Sequence, residues 1–366
     1  MTVHTRSLVI DVDDTISKHT NRDYENAEPI TEMIERVNQY FDAGWHIVYY
    51  TARGAVSCNG DVKLIEATRG PVLEKWMKDH GVKYHELRFG KPIAVYYVDD
   101  KALRPDEFLN MPLETLKGGS GAHIERIGNR VIKRHHKAQQ QADWYKLAEK
   151  RFNVPKVNTC YDNTIDMEHI DGVPLNECLD VTLYNRLLKF IRQCRITKGN
   201  DMTWETMVNR VKEHAALNAF PYDTEILKLI DKPFVHNAMN DSRSFSHGDL
   251  TLENIIVKGG ELYFIDPNYE LNLYSSWVMD VGKLYQSCMY DYERLFYNRR
   301  GIDNKEIFCE FLNRDFDRYS YGWLFDIAHL IHWVKMLKYK TDDEKIIVRN
   351  HIRDIYKHIQ TKYYLP

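Results

Sequence analysis

Ser246-His247-Gly248-Asp249-Leu250-Thr251-Leu252-Glu253-Asn254 is the stretch from which the larger part of this 366-residue chain is read. It runs into the apolar Ile255–Val257, a Lys258-Gly259-Gly260 turn, and Glu261–Ile265, which ends in Asp266. Two β-rich runs around a glycine turn predict a hairpin, and a hairpin brings its flanks, here Asn254 and Asp266, together. These residue types suit phosphoryl transfer from ATP: one Asp orients the acceptor hydroxyl and takes its proton, while an Asn and a second Asp hold Mg²⁺ against the phosphates. The bland alternative, in which His247 and Asp249 only cap a turn, is the weaker one.

Working outward, Gly128-Asn129 separates His123–Ile127 from Arg130–Arg134 and predicts a second hairpin, with a strand over Glu114–Lys117 ahead of it. Between them lies Gly118-Gly119-Ser120-Gly121, a loop able to bring backbone N–H groups to nucleotide phosphates; a flexible interdomain linker is the alternative. Helices are expected over Lys137–Arg151, Val181–Ile196, Thr203–Asn218 and Trp323–Tyr364.

With H-G-D-L-x-x-x-N and I-D-P in place, residues 112–366 resemble the aminoglycoside phosphotransferase and choline kinase group, small-molecule kinases with a bilobal, protein-kinase-like α+β fold. The resemblance implies Asp249 as catalytic base and Asn254 and Asp266 as Mg²⁺ ligands. It implies Lys133 as the strand lysine on the ATP phosphates, with Glu149 as its partner and Asp143 as a competitor. Met167, Glu168 and Ile170 would form the hinge that meets adenine, and Gly119, Ser120 and Gly121 would lie on the nucleotide. Asp280 matches an acidic position that supports the catalytic loop. Pro267 and Asn268 depart from the Phe or Trp common after the metal-binding Asp, and the choice between ATP and GTP stays open. Acidic and aromatic residues between Tyr269 and Tyr297 would give a cationic amine rings to sit against, although most aromatics of this region are expected in the core.

The first hundred residues follow a different rhythm. Ser7–Ile10, His46–Tyr50 and Ile93–Val98 read as buried strands, with helices over Ile30–Asp42 and near Asp61–His80 between them. Such alternation predicts a parallel, Rossmann-like sheet whose ligands bind at the carboxyl ends of the strands. Asp11-Val12-Asp13-Asp14-Thr15, Thr51-Ala52-Arg53-Gly54, Gly90-Lys91-Pro92 and Val98-Asp99-Asp100 fall at or near such ends. Clustered carboxylates around Mg²⁺ allow one of them to attack a phosphate, a second can protonate the leaving oxygen, and Thr51 and Lys91 can hold the phosphoryl oxygens.

In this order the four clusters resemble the motifs of the haloacid dehalogenase superfamily, phosphatase branch, over roughly residues 1–108. The resemblance implies Asp11 as nucleophile, Asp13 as general acid and base, Thr51 and Lys91 as phosphate ligands, and Asp99 and Asp100 on the metal side. The short intervals between motifs leave no room for a cap domain. Tyr84–Pro92 is also similar to phosphatases associated with bacterial capsule synthesis, while His85, Glu86 and Arg88 fit a solvated loop better than a substrate contact.

Pro105, Pro112 and the glycine run place a boundary near residues 108–112, giving domains 1–110 and 111–366, the latter with lobes 111–170 and 171–366. With 50 Lys and Arg against 53 Asp and Glu, the net charge of −3 offers no global field for nucleic acid, and the P-loop of end-healing kinases is missing. No run approaches a membrane span, and six scattered cysteines fit a reduced, cytoplasmic setting. The expectation is an α/β, bifunctional protein: a Mg²⁺-dependent phosphatase acting on a small phosphate ester, fused to an ATP-dependent kinase with a small-molecule alcohol acceptor. The alternatives are nucleic-acid end healing, or a fusion in which one half only binds or regulates.

Overall fold

The computed structural model describes residues 6–18, 23–99, 101–111, 113–116, 122–268, 274–297, 301–303, 305–316 and 322–363. The chain divides into two compact units, Met1–Leu113 and Glu114–Pro366.

The first unit is built on a sheet of three parallel strands in spatial order β1 (Ser7–Ile10), β2 (His46–Thr51), β3 (Glu86–Phe89). The central strand β2 is buried along most of its length, as a parallel strand covered on both faces must be. Thr31–Asp42 is helical because Met33, Ile34, Val37 and Tyr40 recur on one face, all buried, and Gly44 ends it in the left-handed region at φ 81°. The next helix, Val62–Asp79, starts where the Asp61 side chain accepts from the Leu64 amide at 3.2 Å.

Two expectations fail in this unit. Of His85, Glu86 and Arg88, expected in a solvated loop, Glu86 and Arg88 belong to β3, whose Glu86–Phe89 pairs in register with Val48–Thr51, and His85 immediately precedes it. Residues 93–98, expected as a buried strand, form none: Val95 and Val98 are almost fully exposed. Gly90 at φ 83° and Pro92, which has no N–H to give a ladder, turn the chain out of the line of β3, and the Tyr97 hydroxyl doubles back onto the Pro92 carbonyl.

The second unit carries a five-stranded sheet in the order β4 (Leu113–Leu116), β5 (His123–Ile127), β6 (Arg130–Arg134), β8 (Thr164–Glu168), β7 (Val157–Tyr161), with the last four antiparallel to their neighbours. A smaller antiparallel sheet sets β9 (Val173–Pro174) against β10 (Ile255–Lys258), which pairs on its other side with β11 (Glu261–Phe264). Helices build the remainder around one hydrophobic core that includes Trp144, Trp204 and Trp333. The long helix expected over Trp323–Tyr364 is broken: Gly322–Met336 ends in a tight turn at Leu337–Tyr339, and Asp342–Tyr363 starts afresh. Thr341 and Glu344 explain the break, since each side chain bonds the other's amide (2.9 and 3.4 Å), a capping box. No helix among the described residues is long and apolar enough to cross a membrane.

Candidate active sites

In the first unit, β1 delivers Asp11, and the turn after it carries Asp13 and then Asp14 at φ 55°. Lys91, eighty residues on, reaches back to the Asp11 carboxylate at 2.6 Å. Arg53, past the end of β2, donates its Nε to both Asp13 oxygens (2.9 and 3.1 Å) and its terminal nitrogen to Ser17 Oγ at 2.8 Å. Two carboxylates of one strand end are thus each neutralised by a cation from another. Both acids keep about a third of their side chains exposed, so the site opens to solvent. Thr51 is buried and its hydroxyl accepts from the Arg53 amide at 3.1 Å, which shapes the turn that presents the guanidinium. Asp99 is exposed and accepts from the Lys101 amide; the chain near it returns to the site through Tyr97, whose ring lies 4.5 Å beneath the Lys91 ammonium. Asp100 lies outside the described residues. Arg53 stands in the quoted Thr51–Gly54 cluster, but the sequence reading gave it no role; a basic residue two places past a strand-end threonine was the available signal.

In the second unit a cleft of about 1130 Å³ opens between the larger sheet, which lines it with Ile124, Val131, Lys133 and Met167, and the loops and helices that carry Asp249, Asn254 and Asp266. The β10–β11 ladder, closed by Ile265 N–H on the Asn254 carbonyl at 2.9 Å, brings Asn254 and Asp266 to the same end of a hairpin. Asn254 donates its amide to the Asp249 carbonyl oxygen at 2.9 Å, and Lys283 holds Asp249 Oδ1 at 3.0 Å. Lys133, buried in the middle of β6, forms an ion pair with Asp266, to which Gln141 also donates at 2.8 Å. Partial burial works against ionisation of Asp266, but Lys133 and Gln141 outweigh it and leave the carboxyl below the usual range.

The loop bearing Asp249 is fixed from beneath. Asp280 accepts from the amides of His247 (2.7 Å) and Gly248 (2.8 Å), and burial pushes its carboxyl up to about 7 against those two bonds. Gly248 has φ 80°, and a Cβ there would lie 2.2 Å from the Asn268 carbonyl oxygen, so the turn admits no side chain. His247 is buried and hydrogen-bonded to the Ile265 carbonyl at 2.9 Å, which ties the loop to the end of β11, and burial holds its imidazole below the ordinary value.

Met167, Glu168 and Ile170 line the cleft on the strand side. Gly119, Ser120 and Gly121 lie outside the described residues. Glu149 is not at Lys133. It sits exposed at the C-cap of the helix Ala138–Ala148, eight residues and roughly 12 Å of helix rise beyond Gln141, which occupies the expected place. Asp143 is engaged by Gln139 at 2.9 Å instead. Lys283 and Gln141 escaped the sequence reading, because a lysine inside an apolar helix and a glutamine in a Gln-rich run carry no motif.

Both sites offer the hard oxygen donors magnesium takes, Asp11 and Asp13 in one, Asp249, Asp266 and the Asn254 amide in the other. Among the described residues, one group of three acidic or histidine side chains lies close enough to share an ion: Glu205, Asp231 and His236, remote from both sets in sequence, with Lys212 already on Asp231 at 3.1 Å.

No family model and no curated protein matches the chain. Among solved structures, a protein from Vibrio cholerae is similar at 34% identity over 30% of this chain and 90% of its own, with a TM-score of 0.29. An ethanolamine kinase from Plasmodium vivax (14% identity, 67% of this chain, 82% of its own, TM-score 0.43) and a choline/ethanolamine kinase family protein from Mesorhizobium loti (14%, 70%, 89%, 0.45) are similar over a larger share. At TM-scores below 0.5 none of these likenesses carries an assignment of activity.

Proposed function

We propose that the second unit is an ATP-dependent kinase for a small-molecule alcohol and that the first is a phosphatase of the haloacid dehalogenase type. The kinase reading rests on one observation: Lys133 of β6, Asp249 and Asn254 of one loop, and Asp266 after β11, three segments in all, face a single cleft. In it Lys133 holds the nucleotide phosphates and Asp266, with Asn254, supplies the oxygens for magnesium. Asp249 orients the acceptor hydroxyl and takes its proton, and Lys283 neutralises charge beside the transferring group. Bound magnesium would offset the phosphate charge that otherwise repels these carboxylates.

The phosphatase reading rests on the pairing of Asp11 with Lys91 and of Asp13 with Arg53 at adjacent strand ends. Asp11 attacks phosphorus while Asp13 gives the leaving oxygen its proton; Asp13 then takes a proton from the water that releases phosphate. An incoming phosphate competes for Lys91, which frees Asp11 to attack. Asp99 is proposed as a further carboxylate on the metal side.

The test is paired. Mg²⁺ with an aryl phosphate measures the first activity, and ATP consumption with an alcohol panel measures the second. An Asp11→Asn chain that releases phosphate at the parent rate overturns the phosphatase reading, and an Asp249→Asn chain with undiminished ATP consumption overturns the other.

A further inference from the structure

We propose that the alcohol acceptor of the kinase cleft is itself an anion, a small polyol or sugar that already carries a phosphate or carboxylate group. The proposal rests on the kinase reading above and adds the class of its second substrate.

The cleft wall beside Asp249 is cationic. Lys283 touches Asp249, and Lys335, half-buried on Gly322–Met336, feels Asp249 together with Lys283, Arg210 and Lys137. Lys137 in turn feels Arg210 and Lys338. The fold takes specific steps to gather these charges. Gly282 lets the helix Trp277–Tyr290 close onto Gly322–Met336, where a Cβ would lie 2.7 Å from the Ala328 methyl, and this sets Lys283 and Lys335 on one cavity. The break at Leu337–Thr341 puts Lys338 and Lys340 on the same cavity. Seven Lys and Arg side chains line the cleft against four carboxylates, of which Asp249 and Asp266 are each held by a lysine.

Gathering like charges in a half-buried cleft is costly, and the cost shows: burial first, then Arg210 and Lys283, pull the Lys335 ammonium down to about 7. A bound anion would relieve it. A cationic amine has no such welcome, because the rings it would use are taken. Lys340 lies 3.9 Å over Phe296 and 4.7 Å over Tyr297, and Lys283 lies 5.0 Å over Tyr292. The nucleotide does not account for the cluster either. Lys133 already serves its phosphates from the sheet, whereas the carboxylate within electrostatic reach of Lys335 is the proposed base Asp249.

The test uses the full chain carrying Asp11→Asn, so that the first unit consumes no ester, saturated with Mg²⁺ and a non-hydrolysable ATP analogue. Binding of glycerol against glycerol 3-phosphate, ribose against ribose 5-phosphate, glucose against gluconate, and choline is measured by calorimetry. At least one anionic member should bind ten-fold or more tightly than its neutral partner. In a chain with Lys335→Gln and Lys338→Gln added, that advantage should fall to within two-fold while the analogue's own dissociation constant moves by less than two-fold. The phosphate and carboxylate arms tell which anionic group is preferred. Equal or tighter binding of the neutral partners or of choline overturns the proposal, as does an advantage that survives the double substitution, since Lys335 and Lys338 would then not carry it. Equal weakening of the analogue and the ester also overturns it, since the cations would then belong to the nucleotide. If the analogue binds neither chain, the kinase reading falls and takes the acceptor assignment with it, an outcome distinct from analogue binding without an anion preference.

Discussion

The two candidate sites use the same pairing, carboxylate on cation, at different depths. At the strand ends of the first unit, Asp11 and Asp13 stand open to water and their partners arrive on a turn and on a segment that leaves the sheet. In the second unit the partners are rigid: Lys133 is buried mid-strand in β6, and Asn254 and Asp266 are clamped by a hairpin ladder. The difference teaches that one site is set by what the chain can reach, the other by what the register dictates.

The largest expected effects test whether the sites are independent. Asp249→Asn should lower ATP-dependent transfer by about 10³-fold, the middle of the range for general-base effects, and leave aryl phosphate hydrolysis within two-fold. Asp11→Asn, which removes the nucleophile, should do the reverse. Loss of both activities in either variant would mean that one unit relies on the other.

Depth predicts the next size down. Asp266→Ala strands a buried Lys133 and should destabilise the second unit by about 3 kcal/mol. Asp11→Ala leaves Lys91 on the rim and over the Tyr97 ring, and should cost about 1 kcal/mol or less. Denaturant midpoints of the two transitions check this, and equal costs would break the contrast.

Legibility follows the same line. The Asn254–Asp266 hairpin is readable because the ladder, the glycine turn and the chemistry lie within thirteen consecutive residues. The β5–β6 hairpin, announced by Gly128-Asn129, is equally local. Glu149 misled because helix phase and length decide which side chain reaches the Lys133–Asp266 pair, and Gln141, in the first turn, reaches Asp266. The stretch 93–98 misled in another way. Its apolar pattern suits a strand, but Gly90 and Pro92 decide where the chain goes, and Glu86–Phe89 takes the place beside β2. The cationic wall was illegible because Arg210, Lys283, Lys335 and Lys338 come from separate helices and turns, and only tertiary packing makes them neighbours.

A pH series sharpens the comparison from the cleft side. With its ammonium pulled down to about 7 in the folded chain and free to titrate near the ordinary lysine value when unfolded, Lys335 leaves the folded state with fewer protons between those limits. Stability of the second unit should therefore rise with pH from about 7 upward, and Lys335→Gln should flatten that slope. An anionic ligand needs the charged form, so its affinity should fall over the same range. Arg210, Lys137 and Lys283 face Lys335 as like charges, with Asp249 as the opposing carboxylate. A ligand affinity that is flat from pH 6 to 8.5 would remove Lys335 from the anion site.

The smallest effect belongs to Asp99. It is exposed, bonded to its own loop through the Lys101 amide, and two residues from the Tyr97 ring beneath Lys91. A carboxylate so placed adds charge to a magnesium site without fixing its geometry. Asp99→Asn should accordingly raise the Mg²⁺ concentration for half-maximal phosphatase activity by about ten-fold, the low end of the effect of an outer-shell substitution, with little change once Mg²⁺ saturates. Asp13→Asn, by contrast, should lower the saturated rate itself, because it removes the group that moves the proton. If Asp99→Asn also lowers the saturated rate, the segment after β3 takes part in the chemistry directly, and the first site is less open than its exposed carboxylates imply.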